Sequence, residues 1–111
     1  TGKEIDSFRH MDYPDIAFSV MEKFLSEEIN PDQLKRMVVE SYNFDVPLQK
    51  VTENLYLLWL TKGPTASFKD FAARFMARMM HFFAVEENRE LTVLVATSGD
   101  TGGAIANAFY N

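Results

Sequence analysis

Lys69 stands between Phe68 and Phe71 in the stretch GPTASFKDF, Gly63 to Phe71, with Asp70 as the only carboxylate near it in sequence. An amine can attack a carbonyl carbon if it is kept free of its proton, and flanking aromatic rings are one means of burying it in part. Further along, Ser98 to Gly103 read SGDTGG. Gly99, Gly102 and Gly103 let the backbone turn tightly and bring N–H groups close to a ligand. A helix start behind such a turn favours an anion through its dipole and its free donors. No Lys-Ser or Lys-Thr follows these glycines, and their spacing is not GxGxxG, so neither common nucleotide loop is present. Each feature also has a plainer reading. Ser, Gly, Asp and Thr often make a capped strand-to-helix turn, and a lysine often lays its stem on apolar neighbours.

The rest of the chain narrows the classes. It has 111 residues, 47% of them hydrophobic and 14% aromatic, which indicates a packed core rather than disorder. A net charge of −5 without a Lys/Arg cluster argues against nucleic-acid binding. Without cysteine there is no disulfide framework, thiolate metal site or thiol nucleophile. His10 and His81 lie far apart, with no metal-like spacing around them. No apolar run approaches the roughly 18 residues of a membrane span and no signal peptide is visible, so a soluble cytosolic protein is expected. The sequence opens on Thr1 rather than methionine, and an upstream segment is expected to be missing.

The elements that must position Lys69 and the SGDTGG turn follow from periodicity. Residues 14–28 put Ile16, Val20 and Phe24 on one row and Ala17, Met21 and Leu25 on the next, as in a helix with a buried stripe. Pro14 suits its first turn. In INPDQLKRMVVESY, Asn30 can cap, Pro31 fits the first helical position and Asp32 suits the positive end of the dipole. Gln33 pairs with Asn30 in a box-like arrangement, and Ile29 with Leu34 forms a hydrophobic staple. This predicts a helix over 31–42, followed by a connecting loop, NFDVPLQKV. The runs NLYLLWLT (54–61) and LTVLVAT (91–97) are apolar on both faces, as in buried parallel strands, and Trp59 is expected in the core. Between them, residues 68–84 set Phe68, Phe71, Ala72, Phe75, Met79, Phe82 and Phe83 against Arg74, Arg78 and Glu86. A βαβ unit is predicted, followed by a small-residue helix, AIANAFYN, cut short by the chain end. Two parallel strands make too small a sheet to stand alone, so a further segment is expected beyond Asn111. Lys69 and the SGDTGG turn then both lie at carboxyl ends of strands, where open α/β sheets bind ligands.

GPTASFKDFAARFMARMM followed by LTVLVATSGDTGGAIANAFYN resembles the threonine synthase family, whose fold is of the tryptophan-synthase β-subunit type. The resemblance covers residues 55–111 and implies an α/β chain: a helical N-terminal domain over 1–50, then the incomplete N-terminal part of a pyridoxal-phosphate-binding domain over 51–111. It implies that Lys69 forms the Schiff base with pyridoxal 5'-phosphate and later moves protons at the substrate. It also implies that Phe68 and Asp100 lie at the cofactor, and that Ser98, Gly99, Asp100, Thr101 and Gly102 lie against the substrate carboxylate. The activity implied is conversion of O-phospho-L-homoserine and water to L-threonine and phosphate. No metal is implied. The glycine-rich loop for the cofactor phosphate is expected beyond Asn111, which would leave this length of chain inactive alone.

The sequence departs from the family's pattern at Trp59, Thr61, Lys62, Ala66 and Ser67, all on the approach to Lys69. A related pyridoxal-phosphate lyase or dehydratase therefore stands as the alternative, with a non-catalytic module of the same fold as a third reading.

Overall fold

The computed structural model describes residues 2–110, which divide into two compact units, one ending at Asn43 and the other starting at Phe44. The first unit is helical. Helix α1 (Gly2–Ser7) runs into a 3-10 turn, Phe8–His10, and neither was foreseen. Helix α2 (Tyr13–Leu25) starts at Asp12, whose side chain accepts a hydrogen bond from the Asp15 N–H at 3.1 Å. Helix α3 (Pro31–Ser41) has the predicted start. The Asn30 side chain accepts from the Asp32 N–H at 2.9 Å, with Pro31 at the first position. Ile29 and Leu34, the predicted staple, are both buried. With Met37, Val38 and Tyr42 they form the core of this unit. Lys35 of α3 pairs with Asp15 of α2, and Tyr13 meets Tyr42 edge-on with ring centroids 5.2 Å apart.

The α2 stripe is only partly buried. Ile16, Ala17, Met21 and Leu25 are half-covered, whereas Val20 is exposed and Phe24 is 79% exposed. Among the described residues, α3 is the main helix packed along α2, and its 11 residues leave part of the stripe uncovered.

The second unit opens with a hairpin, β1 (Leu48–Thr52) and β2 (Leu55–Leu58), paired antiparallel with Leu48 opposite Leu58 and Lys50 opposite Tyr56. This corrects the reading of 43–51 as loop and of 54–61 as a buried parallel strand. Only Glu53 and Asn54 separate the two strands. So short a connection can join antiparallel neighbours alone, because parallel neighbours need a crossover of a dozen residues or more. Residues 91–97 have no strand partner among the described residues and are exposed throughout, Leu94 at 90%. Trp59 is not core: it is part-exposed, and its Nε1 donates to Gln49 Oε1 at 2.9 Å.

Helix α4 (Asp70–Glu86) packs on α5 (Asp100–Tyr110) through small residues. Ala73 and Ala77 meet Ala104 and Ala108, with Ile105 and Phe109 packed against them. Alanines at i and i+4 let two helix backbones approach closely, so this face is buried first. The predicted aromatic stripe is covered in part: Phe75 is buried, Phe71, Met79, Phe82 and Phe83 are half-buried, and Phe68 and Ala72 are exposed. Arg74, expected on the solvent face, is buried instead, with its guanidinium 5.8 Å from the centre of the Phe44 ring. Helix α5 is the predicted small-residue helix; Asn111 lies outside the described residues.

Candidate functional site

Lys69 is the last residue before α4, and its side chain is one-third exposed. Its Nζ lies 4.2 Å from the centre of the Phe68 ring. The predicted aromatic neighbour is therefore in place, although Phe68 itself is 58% exposed and forms an open platform, not a buried wall. Adjacency to Phe68 is a sequence-local fact. The second neighbour is not: Asp100 Oδ2 lies 3.7 Å from Lys69 Nζ. The fold thus gives the lysine a carboxylate partner that its own segment does not provide, because Asp70 is turned elsewhere.

Asp70 is fully buried and points back along the chain. Its carboxylate accepts from the Thr65 N–H at 2.9 Å and from the Thr65 hydroxyl at 2.7 Å. Gly63 lies so close that a Cβ there would collide with the Asp70 side chain, which explains a glycine at that position. Ser67 is buried, and its Oγ accepts from the Lys69 N–H at 3.3 Å. Ala66 sits at φ 54°, a left-handed conformation that a residue with a Cβ adopts at some cost. Burial holds the Arg74 guanidinium below its ordinary range; nearby Arg78 adds to this and the Asp70 charge opposes it. The sequence reading missed Thr65, Asp70 and Gly63 as a unit. Its signal is a threonine five residues before an aspartate at a helix start, with a glycine two residues further upstream.

The 98–102 turn is built where 91–97 meets α5. Gly99 has φ 143°, a backbone state that only glycine takes readily, and nothing lies within 4 Å of where its Cβ would be. The turn is closed by the Gly99 N–H donating to Thr97 Oγ1 at 3.3 Å and by the Gly103 N–H donating to the Gly99 carbonyl at 2.8 Å. Asp100 is the first residue of α5, Thr101 is exposed, and Gly102 packs over the Thr97 methyl. Ser98 is exposed at the mouth of the turn. The first N–H groups of a helix have no partner within it, so this end can receive an anion. A shallow apolar hollow of about 190 Å³ near Met79, Phe83 and Leu91 includes neither Lys69 nor this turn. Among the described residues no cluster of His, Asp or Glu is placed to hold a metal, and no helix is long and apolar enough to cross a membrane.

An amine and an anion-receptive turn, far apart in sequence, thus share one edge of the second unit. A family model described as threonine synthase N terminus matches residues 1–42. Threonine synthase of Buchnera aphidicola subsp. Acyrthosiphon pisum is 41% identical over 99% of this chain and 26% of its own length. That of Serratia marcescens is 42% identical over 96% of this chain and 24% of its own. The crystal structure of pyridoxal-phosphate-bound threonine synthase from Brucella melitensis superposes with a TM-score of 0.91 at 38% identity, over 98% of this chain and 25% of that one. The chain belongs to the threonine synthase family. It spans about a quarter of the length of these relatives. The family model covers the helical unit, so the kinship extends across the half of the chain without a chemical motif as well as the half with Lys69.

Proposed function

We propose that the complete protein is a threonine synthase, converting O-phospho-L-homoserine and water to L-threonine and phosphate, with pyridoxal 5'-phosphate held covalently by Lys69. The observation that carries this reading is the convergence of Lys69 and the Ser98–Gly102 turn, with the amine 3.7 Å from Asp100. Likeness to threonine synthases along nearly the whole of this chain supports it. The residues present fit the cofactor. Lys69 offers a partly exposed primary amine beside an aromatic ring, and the turn beside it is open at Gly99.

Pyridoxal phosphate, when bound, supplies an electron sink for charge developing on the substrate. The protein's own residues do the rest. Lys69 Nζ would hold the cofactor through its primary amine, and the same amine would take and return protons at the substrate carbons. Phe68 gives that amine a flat apolar neighbour. The Ser98 and Thr101 hydroxyls, with the N–H groups of 99–102, bind the substrate carboxylate by charge-assisted hydrogen bonds. Asp100, whose carboxylate lies 3.7 Å from Lys69 Nζ, would lie beside the bound cofactor.

In this reading the helical unit is the N-terminal domain, and the unit that starts at Phe44 begins the cofactor domain, a boundary earlier than residue 50 because β1 pairs with β2. Residues 91–97, apolar and exposed here, would be covered in this reading by segments from the remaining length of such proteins. The test is phosphate release from O-phospho-L-homoserine by the complete protein with pyridoxal phosphate. Release with matching threonine formation supports the reading. A deamination product without threonine would favour a related dehydratase, the second reading raised by the departures at Trp59, Thr61, Lys62, Ala66 and Ser67.

A further inference from the structure

We infer that Asp70 is a positioning residue for Lys69, acting through Thr65; this rests on the reading of Lys69 as the cofactor-bearing lysine. The segment from Gly63 to Asp70 doubles back on itself, and one buried carboxylate closes it. Asp70 accepts both the amide and the hydroxyl of Thr65, at 2.9 Å and 2.7 Å. A fully buried carboxylate is tolerated only when it is hydrogen-bonded and balanced by charge, and the Arg74 guanidinium one turn further along α4 supplies part of that balance. The closed turn carries its strain at Ala66, φ 54°, and admits no side chain at Gly63.

Lys69 is fixed from both sides by this device. Its own N–H donates to Ser67 Oγ at 3.3 Å, inside the loop. Its C-terminal neighbour is Asp70, whose side chain anchors the loop's start. The Lys69 side chain is flexible, so the place from which it leaves the backbone decides whether Nζ reaches both the Phe68 face and the Asp100 edge. Asp70 therefore touches none of the reacting atoms and still sets where the amine starts.

The test uses the complete enzyme stripped of cofactor, with Asp70→Asn, Thr65→Val and Thr65→Ser beside wild type. The rate at which added pyridoxal phosphate links to the protein is followed by absorbance, with kcat, KM and thermal midpoint measured alongside. Asp70→Asn turns one acceptor oxygen into a donor and Thr65→Val removes one hydroxyl, while Thr65→Ser keeps every hydrogen bond. Misplacing the amine by about 1 Å should slow linkage and kcat roughly ten- to a hundredfold in folded Asp70→Asn, with KM within about twofold. Thr65→Val should show a smaller loss in the same direction, and Thr65→Ser should restore wild-type rates. Should Asp70→Asn fail to fold, the Thr65 pair decides alone. Folded variants with lower midpoints but wild-type linkage rates would overturn the inference. A wild-type reductive label on a lysine other than Lys69 would overturn the underlying reading as well, and that result is separate from any variant's behaviour.

Discussion

Asp100 and Thr101 adjoin in the turn, and the proposed function gives them different roles. Thr101 is exposed at the start of α5 and is proposed to bind the substrate carboxylate, while the Asp100 carboxylate lies 3.7 Å from Lys69 Nζ. Thr101→Ala in the complete enzyme should weaken substrate with little change in cofactor retention. Loss of one hydrogen bond to a charged group costs about 1.5–3 kcal/mol, or roughly tenfold to more than a hundredfold in KM. Steady-state kinetics beside a cofactor-release assay would check this split. Asp100→Asn keeps the shape but removes the charge beside Nζ, so the bound cofactor's absorbance should titrate along a different curve from wild type. Curves that coincide would leave Asp100 as a helix-start residue alone. The Lys69–Phe68 contact and the tight turn at Gly99 were legible in the sequence because both are local. The Lys69–Asp100 pair was not, since nothing in a linear sequence says which of 16 acidic residues folds back onto an amine.

Among the elements, those with local start signals were read correctly and those defined by pairing were not. Asn30, Pro31, Ile29 and Leu34 specify the start of α3 within a few residues, and the structure has each in its expected role. Asn30→Ala should therefore cost about 1 kcal/mol, seen as a lower thermal midpoint for the helical unit. The hairpin escaped because continuous apolar character at 54–61 outweighed a two-residue connection, Glu53-Asn54, that leaves only antiparallel pairing open. The α4–α5 seam escaped for another reason: large aromatics draw the eye to one face, while Ala73, Ala77, Ala104 and Ala108 bury the other. Ala104→Leu should overfill that seam and destabilise by about 1–3 kcal/mol, measurable by denaturant unfolding. In the helical unit, burial and the neighbouring Tyr13 push the Tyr42 phenol up to about 12 from 10.0. Tyr42 stays neutral in the fold at a pH where an exposed phenol ionises. Its contribution is whole below the unfolded value and is lost as pH rises through about 12. Tyr42→Phe should flatten that alkaline loss in a pH series of unfolding midpoints.

At the scale of the whole molecule, the chain is much shorter than the threonine synthases it resembles. It aligns along nearly its full length, yet spans about a quarter of its relatives. Leu55, Leu57, Leu91, Leu94 and Val95 are exposed together with the open edge of the hairpin, and such surfaces associate unless covered. The 111-residue chain alone should therefore associate in light scattering and bind pyridoxal phosphate weakly, in contrast to the complete protein. The central claim, that Lys69 carries the cofactor, is tested most directly by chemistry on the complete protein. Pyridoxal phosphate is bound, the linkage is reduced with borohydride, and the pyridoxyl group is located by peptide mapping. The label is expected on Lys69, within the peptide holding Phe68 and Asp70. A label on Lys62 or Lys50 would contradict the account.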